Sequence, residues 1–149
     1  MTDFIYMNEA LIEAQKAYKK GETPIGAVIV KDNEIIARAH NLTEELKDPT
    51  AHAEMLVIKD ATKILDTWRL TDCKLYVTME PCIMCSGALV KSRIKELIIG
   101  TKHVKNDYTQ KEHVFKSEFF GYNNIDVKFG VLEDECSSIL TNFFKSLRK

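Results

Sequence analysis

Long apolar runs are missing from this chain of 149 residues. A bilayer-spanning helix needs about 18 or more consecutive apolar residues, so the sequence predicts no membrane protein. The segment from Met1 to Tyr6 contains an acid and lacks the basic start of a secretory signal, and we therefore expect a cytoplasmic location. Internal repeats, low-complexity tracts and linkers are also lacking. We therefore expect a single domain over residues 1–149.

A surplus of positive charge is lacking as well. The chain carries 21 Lys and Arg against 22 Asp and Glu, for a formal net charge of -1. This balance excludes a protein coated in positive charge, so a nucleic-acid partner would have to be met by a local patch.

The four cysteines are not expected to form disulfides, because nothing marks the chain for secretion. Cys73 and Cys136 lie among apolar neighbours and far from each other, which favours buried free thiols. Cys82 and Cys85 instead form a Cys-x-x-Cys pair, for which metal binding is the better interpretation.

Apolar periodicity predicts helices that alternate with short strands, as in an α/β sheet. Helices are predicted over residues 3–20, 51–65, 81–91 and 132–147, with Thr50 or Asp48 as the cap of the second. Strands are predicted at 27–30, 35–37, 75–78, 96–100 and 127–131, the first two joined as a hairpin through Asp32-Asn33. Residues 101–124 show no period that predicts an element.

Two motifs carry the chemistry, His52-Ala53-Glu54 and Pro81-Cys82-Ile83-Met84-Cys85. Cysteines three apart face the same side of a helix, and the positive end of its dipole favours thiolates there. His52 is predicted near the start of its own helix, so the two helix starts can converge on one ion. Three protein ligands would leave a fourth zinc position open for water.

Glu54 stands two positions beyond His52 and does not share its helix face. We expect it over the open position, where it would take a proton from the attacking water and return it to the leaving group. A solvated helix carboxylate is the plain alternative for Glu54. A structural zinc knot is the rival for the whole site, and it would need a fourth ligand from among His40, His103, His113, Cys73 and Cys136.

The motifs match the H-x-E and P-C-x-x-C signature of zinc-dependent nucleobase deaminases. The chain resembles the cytidine deaminase-like superfamily, and within it the bacterial tRNA adenosine deaminases. The likeness covers nearly the whole chain, through residues 23–28, Asn41, 48–54, 68–70, 75–82, 84–85, 92–94 and 143–144. It implies a three-layer α/β/α fold with a five-stranded mixed sheet, a homodimer, and one Zn²⁺ per chain on His52, Cys82 and Cys85, with Glu54 as acid and base.

The resemblance also implies the substrate, which is adenosine at the wobble position of the tRNA anticodon arm. Asn41 would read the base, and the backbone near Pro24 and Ala27 would wall the pocket. Ala53 and Pro81 are further expected substrate contacts. A plain turn former is the alternative interpretation of Asn41.

The resemblance fails after Gly100, where the chain continues Thr101-Lys102-His103. His103 stands where the tRNA enzymes usually carry an aspartate, and it is either a substrate contact or a loop histidine without a role. A deaminase of a free nucleobase or nucleoside, guanine-type first and cytosine second, is therefore the alternative function. A catalytically silent zinc-containing RNA-binding or dimerisation module is a third, which the presence of Glu54 disfavours.

Charge and aromatic residues do not decide between these substrates. Between Thr101 and Lys128, lysines and acids nearly balance. Aromatic residues in that segment either stack on flipped bases or pack on the core: Phe115, Phe119, Phe120 and Tyr122. The terminal Lys145, Arg148 and Lys149 either contact phosphate or form a frayed tail.

Overall fold

A computed structural model describes residues 2–102 and 125–147. Its five strands are β1 (Gly26–Lys31), β2 (Glu34–His40), β3 (Lys74–Met79), β4 (Glu96–Thr101) and β5 (Asp126–Phe129). Its helices are α1 (Thr2–Lys19), α2 (Thr43–Leu46), α3 (Ala53–Leu65), α4 (Ile83–Lys91) and α5 (Glu133–Leu147). Within these ranges, none of the helices has the length and apolar character needed to cross a membrane.

The strands form one sheet in the order β2-β1-β3-β4-β5. β1 is antiparallel to both β2 and β3, whereas β3, β4 and β5 run parallel to one another. The predicted five-stranded mixed sheet is therefore confirmed. Parallel neighbours require a crossover connection, and α4 lies in the one between β3 and β4.

Side chains alternate across the sheet and divide the core into two layers. Val28, Tyr76 and Ile98 pack towards α1 and α5, where they meet Met7 and Cys136. The intervening strand residues pack towards α3 and α4, and these include Ala27, Ile29, Leu75, Val77, Leu97 and Ile99. The three-layer α/β/α arrangement follows from this alternation, as the resemblance implied.

Two glycines bring helices close to the sheet. A Cβ atom at Gly26 would collide with the carbonyl oxygen of Ala10, and one at Gly100 with Sγ of Cys136. α1 and α5 can therefore pack this closely only because these positions carry no side chain. Both glycines lie at the edge of the sheet from which the loops to α3 and α4 depart.

Two predicted helix starts are wrong by two residues. α3 begins at Ala53, because Asp48 accepts hydrogen bonds from the amide and hydroxyl of Thr50 at 2.8 and 2.7 Å and so caps a local turn. α4 begins at Ile83, with Cys82 in an extended conformation at the cap position. The sequence also missed α2, whose four residues are too few to show a helical period.

The end of β5 was also predicted too late. The strand ends at Phe129, because Gly130 and Leu132 take positive φ angles of 93° and 55° and turn the chain into α5.

Candidate metal centre and active site

Two helix starts meet at one edge of the sheet and bring the predicted ligands together. His52 is the N-cap residue of α3 and Cys82 the N-cap residue of α4, both with extended backbones. Cys85 lies in the first turn of α4 and is fully buried. Because β3 leads directly into α4, the site sits beyond the carboxyl end of a parallel strand, where sites in such sheets commonly form.

The geometry of the three ligand atoms fits a tetrahedral metal ion. Nδ1 of His52 lies 3.7 Å from Sγ of Cys82 and 3.5 Å from Sγ of Cys85. A tetrahedral zinc ion with a Zn–N bond of about 2.0–2.1 Å and Zn–S bonds of about 2.3 Å would hold nitrogen and sulfur about 3.6 Å apart. The cluster could therefore hold a metal with little rearrangement.

In residues 2–102 and 125–147, no fourth His, Cys, Asp or Glu ligand atom joins this group. His40 is occupied elsewhere, since its Nδ1 lies 2.9 Å from Oε1 of Glu13. Cys73 and Cys136 are buried free thiols, as predicted, and burial raises the pKa of Cys136 to about 12. His103 and His113 lie outside the described residues. The described candidates thus give no support to a structural knot.

The two sulfurs differ in their affinity for protons. A hydrogen bond from Cys85, together with the neighbouring His52, lowers the pKa of Cys82 to about 4, so this thiol is ionised at neutral pH. The same bond raises the pKa of Cys85, and burial adds to the increase. The hydrogen bond to Cys82 also raises the pKa of His52. Metal binding would have to displace the proton that this cluster shares.

Glu54 lies in the first turn of α3 and is only 3% exposed. Burial raises its pKa to about 7, and hydrogen bonds from its own backbone N–H and from Cys85 oppose that increase only in part. The prediction placed His52 and Glu54 on different faces of one helix, but His52 is the cap residue before the helix and Glu54 is its second residue. The carboxyl group nevertheless contacts the ligand cluster, and it can both accept and release a proton near neutral pH.

Asn41 follows β2 directly and is 5% exposed. Its Oδ1 accepts a hydrogen bond of 2.8 Å from the backbone N–H of Ala53. Asn41 therefore caps α3 from outside the helix, at the residue between His52 and Glu54. A plain turn former would not do this. The side-chain oxygen is used for capping, and whether Asn41 also reads a base stays a prediction.

The other expected substrate contacts are buried at the same edge of the sheet. Ala27 on β1 and Ala53 at the start of α3 are both 0% exposed and belong to the core layer between the sheet and helices α3 and α4. Pro24 precedes β1 and Pro81 precedes Cys82, and both are buried. His103 lies outside the described residues, as do Phe115, Phe119, Phe120, Tyr122, Arg148 and Lys149.

Glu22 is a residue that the sequence analysis missed. It is 1% exposed, and its carboxylate accepts hydrogen bonds from the backbone N–H of Glu44 at 3.1 Å and of Glu45 at 2.7 Å. These are orphan donors of α2, whose own cap residue, Leu42, makes no side-chain cap bond. No local pattern could have revealed this pairing, because its partners lie 22 and 23 positions away.

Sequence comparison relates the chain to known deaminases. The protein-family model of MafB19-like deaminases matches residues 1–148. A protein of Bacillus subtilis named tRNA-specific adenosine deaminase is 50% identical over 148 residues, which cover 99% of this chain and 91% of that protein. A protein of the same name from Aquifex aeolicus is 49% identical over 96% of this chain and 94% of its own length.

Structure comparison gives a consistent result. A solved structure from a study of A-to-I editing by tRNA:A34 deaminases at the wobble position of transfer RNA superimposes with a TM-score of 0.85 and 42% identity. The match covers 91% of this chain and 98% of that one. A guanine deaminase from Nitrosomonas europaea superimposes with a TM-score of 0.80 at 22% identity, over 94% of this chain and 83% of that one. At that identity the likeness shows the fold alone.

Proposed function

The chain belongs to the MafB19-like deaminase family, and on that basis we propose that it is a zinc-dependent enzyme that hydrolyses adenosine to inosine at the wobble position of tRNA. As a family member it is a deaminase, a hydrolase that acts on C–N bonds. The observation that carries the substrate proposal is the identity of about half the residues, over nearly the full length of both chains, to a protein named tRNA-specific adenosine deaminase.

His52, Cys82 and Cys85 would hold the zinc ion, which fits the spacing of their ligand atoms. A bound zinc ion would acidify a water molecule and so supply the nucleophile. Because two thiolates already offset much of the metal's charge, this acidification would be weaker than in a site made of histidines alone. A protein base is therefore needed.

Glu54 would be that base. It contacts Cys85 at the ligand cluster, and its pKa of about 7 suits a group that must change protonation state twice in each turnover. Its carboxylate would take the proton of the water that attacks the amine-bearing carbon of adenine. Its carboxylic acid form would then protonate the departing amine, so that adenosine and water yield inosine and ammonia.

Asn41, Pro24, Ala27, Ala53 and Pro81 would surround the base. Their burial at the edge of the sheet beside the ligand cluster supports this assignment. His103 stays a proposed contact on the sequence alone. We further propose a cytoplasmic location, which suits an enzyme that acts on tRNA.

A homodimer is proposed as well. The layer formed by α3 and α4 exposes Ile64 and Ile83 to 60% and 58%, and Trp68, just after α3, to 49%. Exposed large apolar side chains can mark an interaction surface, and α1 and α5 carry others at Phe4, Ile5, Phe144 and Leu147. Light scattering at a concentration of a few micromolar would test this, and a monomer mass would contradict it.

The substrate test compares ammonia release from an anticodon stem-loop with release from free bases and nucleosides. We expect turnover of the stem-loop with adenosine at the wobble position, and none of a matched stem-loop with guanosine there. A Glu54→Ala enzyme is the control for contaminating activity. If ammonia is released from guanine alone, the tRNA proposal is overturned in favour of a free-base deaminase. If the zinc-loaded protein releases ammonia from none of the substrates, a catalytically silent module is favoured.

A further inference from the structure

A loop of ten residues, 42–51, separates Asn41 from His52, and we call it the α2 loop because it contains that helix. Its two ends are joined by a hydrogen bond of 3.0 Å from the N–H of Leu42 to the carbonyl of Ala51. Just outside this junction, Asn41 caps α3 at Ala53. The α2 loop thus enters and leaves at residues that the proposed function places in the active site.

Glu22 ties this loop to the rest of the molecule. It follows Gly21, whose φ of 78° reverses the chain at the end of α1. The backbone N–H of Glu22 bonds back to the carbonyl of Ala17 in that helix at 2.9 Å. The carboxylate then reaches the first turn of α2 and accepts both N–H bonds there, with a weaker third bond of 3.4 Å from the hydroxyl of Thr43. A buried carboxylate held by backbone donors is a charge-assisted and geometrically fixed contact.

A second contact between the end of α1 and the α2 loop is an ion pair, and it is much weaker. Lys20 lies 3.7 Å from Glu45, and both side chains are about half exposed to solvent. Exposed pairs of this kind contribute little, because water screens them and two long side chains must be ordered. Of these two contacts, the one made by Glu22 is therefore the main link between the end of α1 and the α2 loop.

Glu22 also stands two residues before Pro24, which the proposed function places in the wall of the pocket. Asn41 is joined to that wall by a bond of 3.1 Å from its N–H to the carbonyl of Ile25. A single buried side chain thus connects the segment that walls the pocket to the loop that leads into the metal ligand. Glu22 touches none of the reacting groups itself.

We propose that Glu22 is a positioning residue for deamination, whose carboxylate holds the α2 loop so that Asn41 and His52 keep the arrangement that binds substrate. The proposal rests on the proposed function of those two residues. If the loop leaves this position, the fraction of binding-competent enzyme falls, and the apparent affinity falls by the same factor. The loss should therefore appear in KM more than in kcat.

The test is steady-state kinetics of Glu22→Gln with the substrate that the wild type deaminates. Gln has nearly the same size as Glu, but its side-chain NH2 group would face one of the two backbone N–H donors. Two donors cannot form a hydrogen bond with each other. We expect KM to rise about tenfold, the factor that a lost helix cap represents, with kcat within about threefold and one zinc per chain. Lys20→Ala is the matched control at the exposed tie, and its KM should match the wild type.

Hydrogen exchange of the Glu45 amide distinguishes a positioning role from a purely structural one. We expect faster exchange in Glu22→Gln together with the higher KM. Faster exchange with KM within about twofold of the wild type would overturn the proposal, because the loop would then be loose without consequence.

A second pair of variants decides the matter if Glu22→Gln does not fold. Glu44→Pro removes one N–H donor from the exposed side, and proline is tolerated in the first turn of a helix. Glu44→Ala changes the same side chain but keeps the donor. KM should rise only in the proline variant, and equal values would overturn the proposal. A wild type that deaminates nothing would overturn the proposed function together with this one, whereas an active wild type with unaffected variants overturns this one alone.

Discussion

Two buried carboxylates, Glu13 and Glu54, are each 3% exposed but lie in opposite environments. The carboxylate of Glu13 on α1 lies 2.7 Å from Nζ of Lys16, 3.3 Å from Nη1 of Arg38 and 2.9 Å from Nδ1 of His40. Burial by itself would raise the pKa of Glu13, but the hydrogen bonds from Lys16 and His40 and their charges outweigh it, so the pKa is lowered. Glu13 is therefore a fixed negative charge.

Glu54 lacks comparable charged partners among the described residues. In the part of the chain that the structure describes, no salt bridge reaches it, and burial raises its pKa to about 7. The difference is one of partners, since the exposed fraction is equal. A carboxylate whose charge is compensated serves stability, whereas one that is left poised between its two forms can move protons.

The largest expected effect comes from removing a proposed metal ligand beside Glu54. Cys82→Ala should reduce the zinc content from one per chain to less than about a tenth and reduce activity to background, because it removes one of the three proposed protein ligands. Glu13→Gln should keep its zinc. Plasma emission spectroscopy of both variants gives the metal content. Stoichiometric zinc in Cys82→Ala would contradict the ligand assignment.

The next effect concerns the proton carrier. Glu54→Gln should lower kcat/KM by about 10²- to 10⁴-fold, the usual contribution of a positioned acid or base. Zinc and thermal stability should be retained, because Gln fills the same space without a charge to bury. Kinetics, metal analysis and calorimetry on one preparation measure all three. Survival of most activity would show that another group moves the proton.

Removing the carboxylate of Glu13 should lower stability and leave activity nearly unchanged. Glu13→Gln leaves Lys16 and His40 without their negative partner and leaves Arg38 paired with Glu9 alone, which should lower the free energy of unfolding by about 2–3 kcal/mol. The kcat/KM of the folded enzyme should stay within about twofold of the wild type. Urea denaturation and initial rates measure these quantities, and a loss of activity without loss of stability would link Glu13 to the active site.

The same two variants should respond to pH with opposite signs. The pKa of Glu13 is lowered in the folded state, so its stabilisation is present above the unfolded value of about 4.3 and is lost as pH falls through the folded value. The stability difference between wild type and Glu13→Gln should therefore shrink in acid.

For Glu54 the pKa is raised, so in zinc-free protein its cost grows as pH rises from the unfolded value of about 4.3 to about 7. The stability advantage of zinc-free Glu54→Gln over zinc-free wild type should grow over the same interval. Urea titrations at several pH values test both trends, and parallel trends for the two variants would contradict the difference in environment.

The sequence allowed prediction where the signal is local. A short run of apolar and β-branched residues predicted β3, and the helical period predicted α1, because each pattern is contained in the element itself. The spacing of Cys82 and Cys85, with His52 near the start of a second predicted helix, likewise predicted that the three ligands come together, and the structure places them so.

The contacts that order the site could not be predicted, because they join residues distant in the chain. Asn41 caps Ala53 across 12 positions, and Glu22 caps α2 across more than 20. Asp48 and Thr50 are good cap residues by type, but they bond to each other, so α3 begins later than their presence suggested. Cap preference is a local tendency, whereas the choice among nearby caps is made by the tertiary fold.

The smallest expected effect concerns an ion pair with little burial. Lys74 and Glu96 face each other on the neighbouring strands β3 and β4, 3.3 Å apart, with side chains 44% and 32% exposed. A double-mutant cycle with Lys74→Ala and Glu96→Ala should give a coupling of only about 0.2–1 kcal/mol. Salt should weaken this coupling, because solvent ions screen exposed charges. The destabilisation by Glu13→Gln should change less with salt, because the side chain of Glu13 is only 4% exposed and that of His40 only 12%. If both effects declined equally with ionic strength, burial would not be what distinguishes the Glu13 network from a surface pair.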